Sequence, residues 1–149
     1  EPSGGRTQMI RQFEREDLNE ISQIERECFR VPYAEKMLES SFLAPTFFGL
    51  LDKDSEVRGY VFATVVLDEA NIDRVAVRPK FRRNQVATNL LKTAESLFLE
   101  RGVKNVYLEV RVSNERAKNL YEKLGFKVVG VREKYYEGVE DALVMFKSL

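Results

Sequence analysis

Arg82 and Arg83 stand just ahead of an apolar run with helical spacing, Val86, Ala87, Leu90 and Leu91, and just behind a β-branched segment, Val75-Ala76-Val77. A turn containing Pro79 lies between them. A strand, an arginine-bearing turn and a helix start make a seat for an anion, because the first N–H groups of a helix have no partner inside it and carry the positive end of its dipole. Paired arginines at a helix start are also what a solvated surface presents, so the stretch alone leaves both readings open. Further along, Glu109 lies just before a helix on which Asn114 and Tyr121 stand two turns apart, roughly 10 Å along one face, so that both could point at one elongated ligand. The same three residues also suit a solvated strand, a helix cap and a core aromatic.

The composition removes several chemistries. The chain has no histidine, which excludes Ser-His-Asp and Cys-His catalysis and His-based zinc sites. Cys28 is the only cysteine, so an internal disulfide and a multi-cysteine metal site are excluded; it reads as a small buried hydrophobe on an apolar helix face. No metal site is expected. Acid-base work falls to carboxylates, tyrosines, lysines or the backbone. Lys plus Arg equals Asp plus Glu at 24 each, which provides no overall field for nucleic acid or an anionic membrane. No apolar run approaches the roughly 18 residues needed to span a bilayer, and no signal-peptide pattern is present. A cytoplasmic protein is expected.

The elements that must position these residues follow from periodicity. Residues 1–8, EPSGGRTQ, are polar and Gly-rich and read as a tag remnant or a loose end. A short strand at Ile10 and Phe13 precedes a helix opened by Asp17-Leu18, with Leu18, Ile21, Ile24 and Cys28 on one side. Pro32 breaks it, and Phe29-Arg30-Val31-Pro32-Tyr33 bends into a second helix through Met37, Leu38 and Phe42. Thr46 to Leu51 and Val57 to Leu67 form a hairpin around a charged turn, Asp52 to Glu56, and Ala70 to Val77 forms the next strand. The long helix behind the arginines ends at Gly102; Val106 to Val112 then alternates, with Tyr107, Glu109 and Arg111 on one face. Asn114 caps a helix closed by Gly125, and two strands, Phe126 to Val131 and Ala142 to Phe146, flank a connection holding Tyr135 and Tyr136. With 44% apolar residues in 149, this is a single α/β domain with a mixed, mostly antiparallel sheet of about seven strands flanked by about four helices.

Three blocks, RVAVRPKFRRNQVATNLL, LEVRVSNERAKNLYEKLGF and KYYEGVEDALVM, resemble the GNAT superfamily of acetyl-CoA-dependent N-acetyltransferases. They are most similar to its ribosomal-protein-alanine and archaeal N-terminal acetyltransferase branch. The resemblance runs from Met9, which makes residues 9–149 the N-acetyltransferase domain. It implies that Arg82, Arg83, Asn84, Gln85, Val86, Ala87 and Thr88 hold the coenzyme A pyrophosphate, and that Val75, Ala76 and Val77 pair with the pantetheine arm. Asn114 would bond that arm, Tyr121 would face the thioester sulfur, and Glu109 matches the general base. Phe29, Val31, Pro32, Tyr33, Tyr135 and Tyr136 match the walls of a peptide slot, with Asn71 or Asp73 placed to hold a water. The implied acceptors are protein or peptide N-termini, including ribosomal or nascent chains, with or without an auxiliary subunit. A lysine or small-molecule amine as acceptor, or a non-catalytic coenzyme-binding subunit, remain alternatives. Gln85 replaces the family's loop glycine: either the backbone's approach to phosphate is compromised, or φ is negative there and glycine is unnecessary. The second is expected.

Overall fold

The computed structural model describes residues 9–149, and the reading of residues 1–8 lies outside the described residues. One sheet runs in the order β1-β2-β3-β4-β5-β7-β6, from β1 Ile10–Gln12, β2 Phe47–Lys53, β3 Val57–Val66, β4 Glu69–Val77, β5 Asn105–Arg111, β6 Lys127–Tyr136 and β7 Glu140–Ser148. Every neighbouring pair is antiparallel except β4 and β5, whose parallel pairing requires a crossover, supplied by α3 Val86–Glu100. The helices α1 Leu18–Cys28 and α2 Glu35–Leu43 cover one face of the sheet, while α3 and α4 Glu115–Lys123 cover the other.

Strand alternation decides which side chain meets which helix pair. Leu51, Tyr60 and Phe62 point to Ile21, Ile24 and Leu38, whereas Leu50, Val61, Ile72 and Leu108 point to Leu90, Ala94 and Phe98. Each fully buried aliphatic contributes about 1.5–3 kcal/mol, so both helix layers are fastened by their apolar stripes. Gly59 permits a closer approach: a Cβ there would stand 2.6 Å from the Ala76 carbonyl oxygen and 3.0 Å from Val86, so its absence lets the end of β4 and the start of α3 pack on β3. Among the described residues no helix is long and apolar enough to cross a membrane.

Two strand boundaries differ from expectation. Asp52 and Lys53 belong to β2 and not to the turn; Asp52 is buried, and Arg58 donates to it at 3.0 Å, which offsets the cost of burying a carboxylate. Tyr135 and Tyr136 end β6 instead of lying in the connection, because the hairpin continues past Val131. Its alternation is hidden in sequence by register shifts at Val128/Gly130 and Arg132/Tyr136.

The feature that positions the site is a splay. Pairing between β4 and β5 runs from Glu69↔Asn105 to Ile72↔Leu108 and stops, although β4 continues to Val77 and β5 to Arg111. At that point the register of β4 against β3 shifts between Phe62 and Ala63, leaving Asp73 as an extra residue that bends the strand.

Candidate active site

A cleft of about 570 Å³ opens where the strands part. The end of β4 forms one wall, the loop 82–85 and the first turn of α3 a second, and α4 a third. Of the coenzyme-binding residues expected from sequence, all except Asn84 line it. The Asn84 side chain instead donates to the carbonyls of Phe81 (3.3 Å) and Arg82 (3.4 Å) and so closes the loop on itself. Arg82 donates through Nε to the Val77 carbonyl at 3.1 Å, tying the loop to the end of β4. Among the described residues the lining carries three arginines, Arg82, Arg83 and Arg116, and no carboxylate. In a chain of zero net charge that segregation favours an anionic ligand.

The expected negative φ at Gln85 is not found. Gln85 has φ 60° and ψ 23°, in the left-handed region, and Arg83 has φ 67°. The loop therefore adopts the geometry that glycine would supply, with a side chain present. Left-handed Gln85 followed by right-handed Val86 turns successive N–H groups to one side, a concavity suited to phosphate oxygens. No side chain caps α3 and no acidic residue occupies its first turn. A non-glycine residue in this conformation costs roughly 1–2 kcal/mol, partly offset by the lower backbone entropy loss relative to glycine. Gln85→Gly is accordingly expected to raise stability by about 0.5–1 kcal/mol in urea unfolding, without weakening coenzyme affinity.

Asn114 caps α4, its side-chain oxygen accepting from the Ala117 N–H at 3.1 Å, and also lines the cleft. Tyr121, two turns on, is 9% exposed, packs edge-on against Phe126 and reaches the cleft. Burial, reinforced by Tyr136, pushes its hydroxyl well above the ordinary tyrosine value. Cys28 departs from the buried hydrophobe expected: it is half-buried in the cleft wall, with Sγ 3.5 Å from the Val77 carbonyl oxygen. Burial pushes its thiol up despite Arg82 nearby, so it stays protonated and is a poor nucleophile.

Glu109 is the first residue of β5 beyond its last pair with β4, on the face opposite α3 and α4. Its carboxylate is 14% exposed and meets Arg132 at 3.3 Å. Tyr136 stands within electrostatic reach of Glu109 and Arg111 and of Tyr121; burial first, then Tyr135 and Glu109, push it up to about 12. Asn71 donates to Asp73 at 2.8 Å, and Thr64 donates to the other Asp73 oxygen at 2.7 Å, a polar group at the bulge.

The two segments expected from sequence to wall a peptide slot lie next to each other. The bend Phe29 to Tyr33 and the end of β6 are linked by Arg30 and Glu137, 3.7 Å apart, and Glu137 is held in turn by Arg111 at 2.9 Å. Val31 and Tyr135 remain half-exposed at the rim. Phe29 belongs to this bend and also lines the cleft, so the bend borders the cleft.

Two residues behind the bend were not anticipated. Glu25, fully buried on α1, accepts from Tyr60 (2.6 Å), from the Tyr33 N–H (2.8 Å) and from Arg74 twice (2.8 and 3.1 Å). The Arg74 guanidinium lies 3.6 Å from the ring centre of Phe29 and 4.1 Å from that of Tyr33, and it donates to the Val31 carbonyl at 3.0 Å. A buried ion pair and two ring contacts thus hold the bend. A signal existed: Glu25 falls on the helix stripe of Leu18, Ile21 and Ser22, where a carboxylate needs a partner.

A family profile described as acetyltransferase (GNAT) family matches residues 18–126. The chain belongs to that family. It is similar to the ribosomal protein bS18-alanine N-acetyltransferase of Escherichia coli K12, 34% identical over 139 residues that cover 91% of this chain and 94% of the relative. The crystal structure of the ribosomal-protein-alanine N-acetyltransferase from Escherichia coli superposes with a TM-score of 0.87 at 32% identity, covering 93% of this chain and 92% of that one. Ard1 from Thermoplasma volcanium superposes with a TM-score of 0.85 at 26% identity, covering 94% and 96%. The α/β architecture of this GNAT chain is therefore the one its sequence implied.

Proposed function

We propose that this GNAT enzyme transfers the acetyl group of acetyl-CoA to the N-terminal α-amine of protein or peptide substrates. The observation that carries the reading is an arginine-lined cleft beside the end of β4, beyond the last pairing of β4 with β5. The cleft carries no carboxylate among the described residues, Phe29 of the bend borders it, and Glu109 follows the last residue of β5 paired with β4. Similarity to alanine N-acetyltransferases acting on a ribosomal protein, over nearly the whole length of each chain, supports the same acceptor class here.

Bound acetyl-CoA supplies the activated acetyl thioester. The loop 82–85 and the start of α3 hold its phosphates on backbone N–H groups, and the free edge of β4 at Val75 to Val77 pairs with its pantetheine arm beside Asn114. The slot admits an extended N-terminus between the Phe29 to Tyr33 bend and Tyr135-Tyr136. Glu109 accepts the amine's proton through a water near Asn71 and Asp73. Tyr121 donates a hydrogen bond to the departing sulfur. The α-amine, with a free pKa of about 7.7–8.0, needs little help, whereas a lysine near 10.4 needs more, and this favours the α-amine. The left-handed loop at Gln85 counts against a disabled, non-catalytic subunit. Ribosomal or nascent chains in the cytoplasm are the acceptors this reading expects.

Incubation with acetyl-CoA and peptides beginning Ser, Ala or Met-Leu is expected to add about 42 Da, and blocking the N-terminus is expected to abolish the gain. With the free peptides, kcat/KM should rise with pH through the amine's pKa. No falling limb is expected below about pH 10, because Tyr121 and Tyr136 are both shifted upward and keep their protons. Equal labelling of blocked and free peptides would contradict the α-amine assignment.

A further inference from the structure

A second recess, of about 180 Å³, opens between α3, the end of α4 and β7, and its lining shares no residue with that of the cleft. Its floor is apolar: Ile72 of β4, Phe98 of α3, Val106 of β5 and Phe126 belong to the core beneath these helices. Its rim is basic. Lys92 comes from α3, Lys123 from the last turn of α4 and Lys147 from β7, against one carboxylate, Glu95. That carboxylate is already paired with Lys147, which also donates to the Leu124 carbonyl at 2.7 Å. Gly125 leaves room for this arrangement, since a Cβ there would stand 3.1 Å from the Lys147 Cε. Among the described residues Lys92 and Lys123 make no ion pair or side-chain hydrogen bond, and Glu122, beside Lys123 in sequence, pairs with Lys118. Folded interiors leave few voids larger than a water molecule, so an apolar floor left open beneath two unpaired ammonium groups has the shape and charge of a ligand site.

We infer that this recess binds a small monocarboxylate whose apolar body is about the size of a benzene ring. The volume sets the size, since an apolar cavity of about 150 Å³ holds benzene. The ring takes the floor out of water, and the carboxylate stays at the rim, where it accepts from Lys92 and Lys123. The flexible four-carbon stems of both lysines let their ammonium groups swing to meet it. An inorganic anion would leave the apolar floor wet, and a neutral arene would leave the ammonium groups unpaired; only a carboxylate with an apolar body uses both. Occupancy requires neither coenzyme nor acceptor, because none of the lining belongs to the cleft.

Titration of the isotope-labelled full chain with phenylacetate, and separately with its neutral analogue phenylacetamide, followed by amide NMR shifts, tests this. Saturable shifts are expected at the amides of Gly125, Phe126 and Lys147, with phenylacetate bound about tenfold more tightly than the neutral analogue. Lys92 and Lys123 are both exposed, so Lys92→Gln/Lys123→Gln should fold as the wild type does and lose about that tenfold preference. Shifts confined to the arginine-lined cleft, no saturable shift at the three amides, equal affinity for acid and neutral analogue, or an undiminished preference in the double variant overturns the assignment. None of these outcomes bears on the use of acetyl-CoA, which the transfer assay tests separately.

Discussion

Glu109→Gln should lower kcat by about a hundredfold or more and leave coenzyme A affinity unchanged. The amide keeps the volume of the side chain and can still face Arg132, 3.3 Å away, but it cannot accept a proton. Because Glu109 lies on the sheet face opposite α3 and α4, outside the lining of the cleft, its loss should register in turnover and not in coenzyme binding. Stopped-time assays over a range of peptide concentrations, with calorimetry for coenzyme A, separate the two. A kcat within about threefold of wild type would remove Glu109 as the base. Tyr121→Phe should reduce kcat by a smaller factor, since the hydroxyl donates one hydrogen bond to the leaving sulfur.

The second large effect is expected at Arg74. Arg74→Met leaves the fully buried Glu25 carboxylate with only the Tyr60 hydroxyl and the Tyr33 N–H, and it releases the Val31 carbonyl. Removing one partner of a buried pair costs about 3–5 kcal/mol, which for a domain of this size lowers Tm by roughly 10 °C. The bend Phe29 to Tyr33 loses its stacking platform at the same time. Peptide KM is therefore expected to rise severalfold, with a much smaller change in acetyl-CoA KM, because only Phe29 of the bend reaches the coenzyme cleft. Arg74→Lys keeps the charge without the planar fork and should recover only part of the stability. In Glu25→Gln/Arg74→Met the stranded charge is gone, so stability should partly return while peptide KM stays high. Recovery of both together would mean that Arg74 is structural only.

The sheet and the cleft were largely legible because their signals are local. Strict alternation at Val106 to Val112 placed Glu109 on the polar face, and the spacing of Asn114 and Tyr121 put both on one side of a short helix. The hairpin of β6 and β7 is longer than its sequence alternation implies because two register shifts scramble the pattern, and Asp52 resembles a turn residue in sequence because its partner Arg58 lies across the hairpin. Gln85 misled for another reason. Residue type suggests a negative φ, whereas Gln85, the residue just before α3, is left-handed with φ 60°. Arg74 was not legible, since an arginine in a strand ordinarily reads as surface; only the carboxylate on the apolar stripe of α1 hinted that a buried cation had to exist.

The most direct measurement is the position of the acetyl group on a peptide that offers both a free N-terminal Ser or Ala and an internal lysine. After incubation with acetyl-CoA, fragment-ion mass spectrometry should place a single gain of about 42 Da on the first residue and none on the lysine. A gain confined to the lysine side chain, or no gain under conditions where the protein binds coenzyme A, would contradict α-amine acetyl transfer.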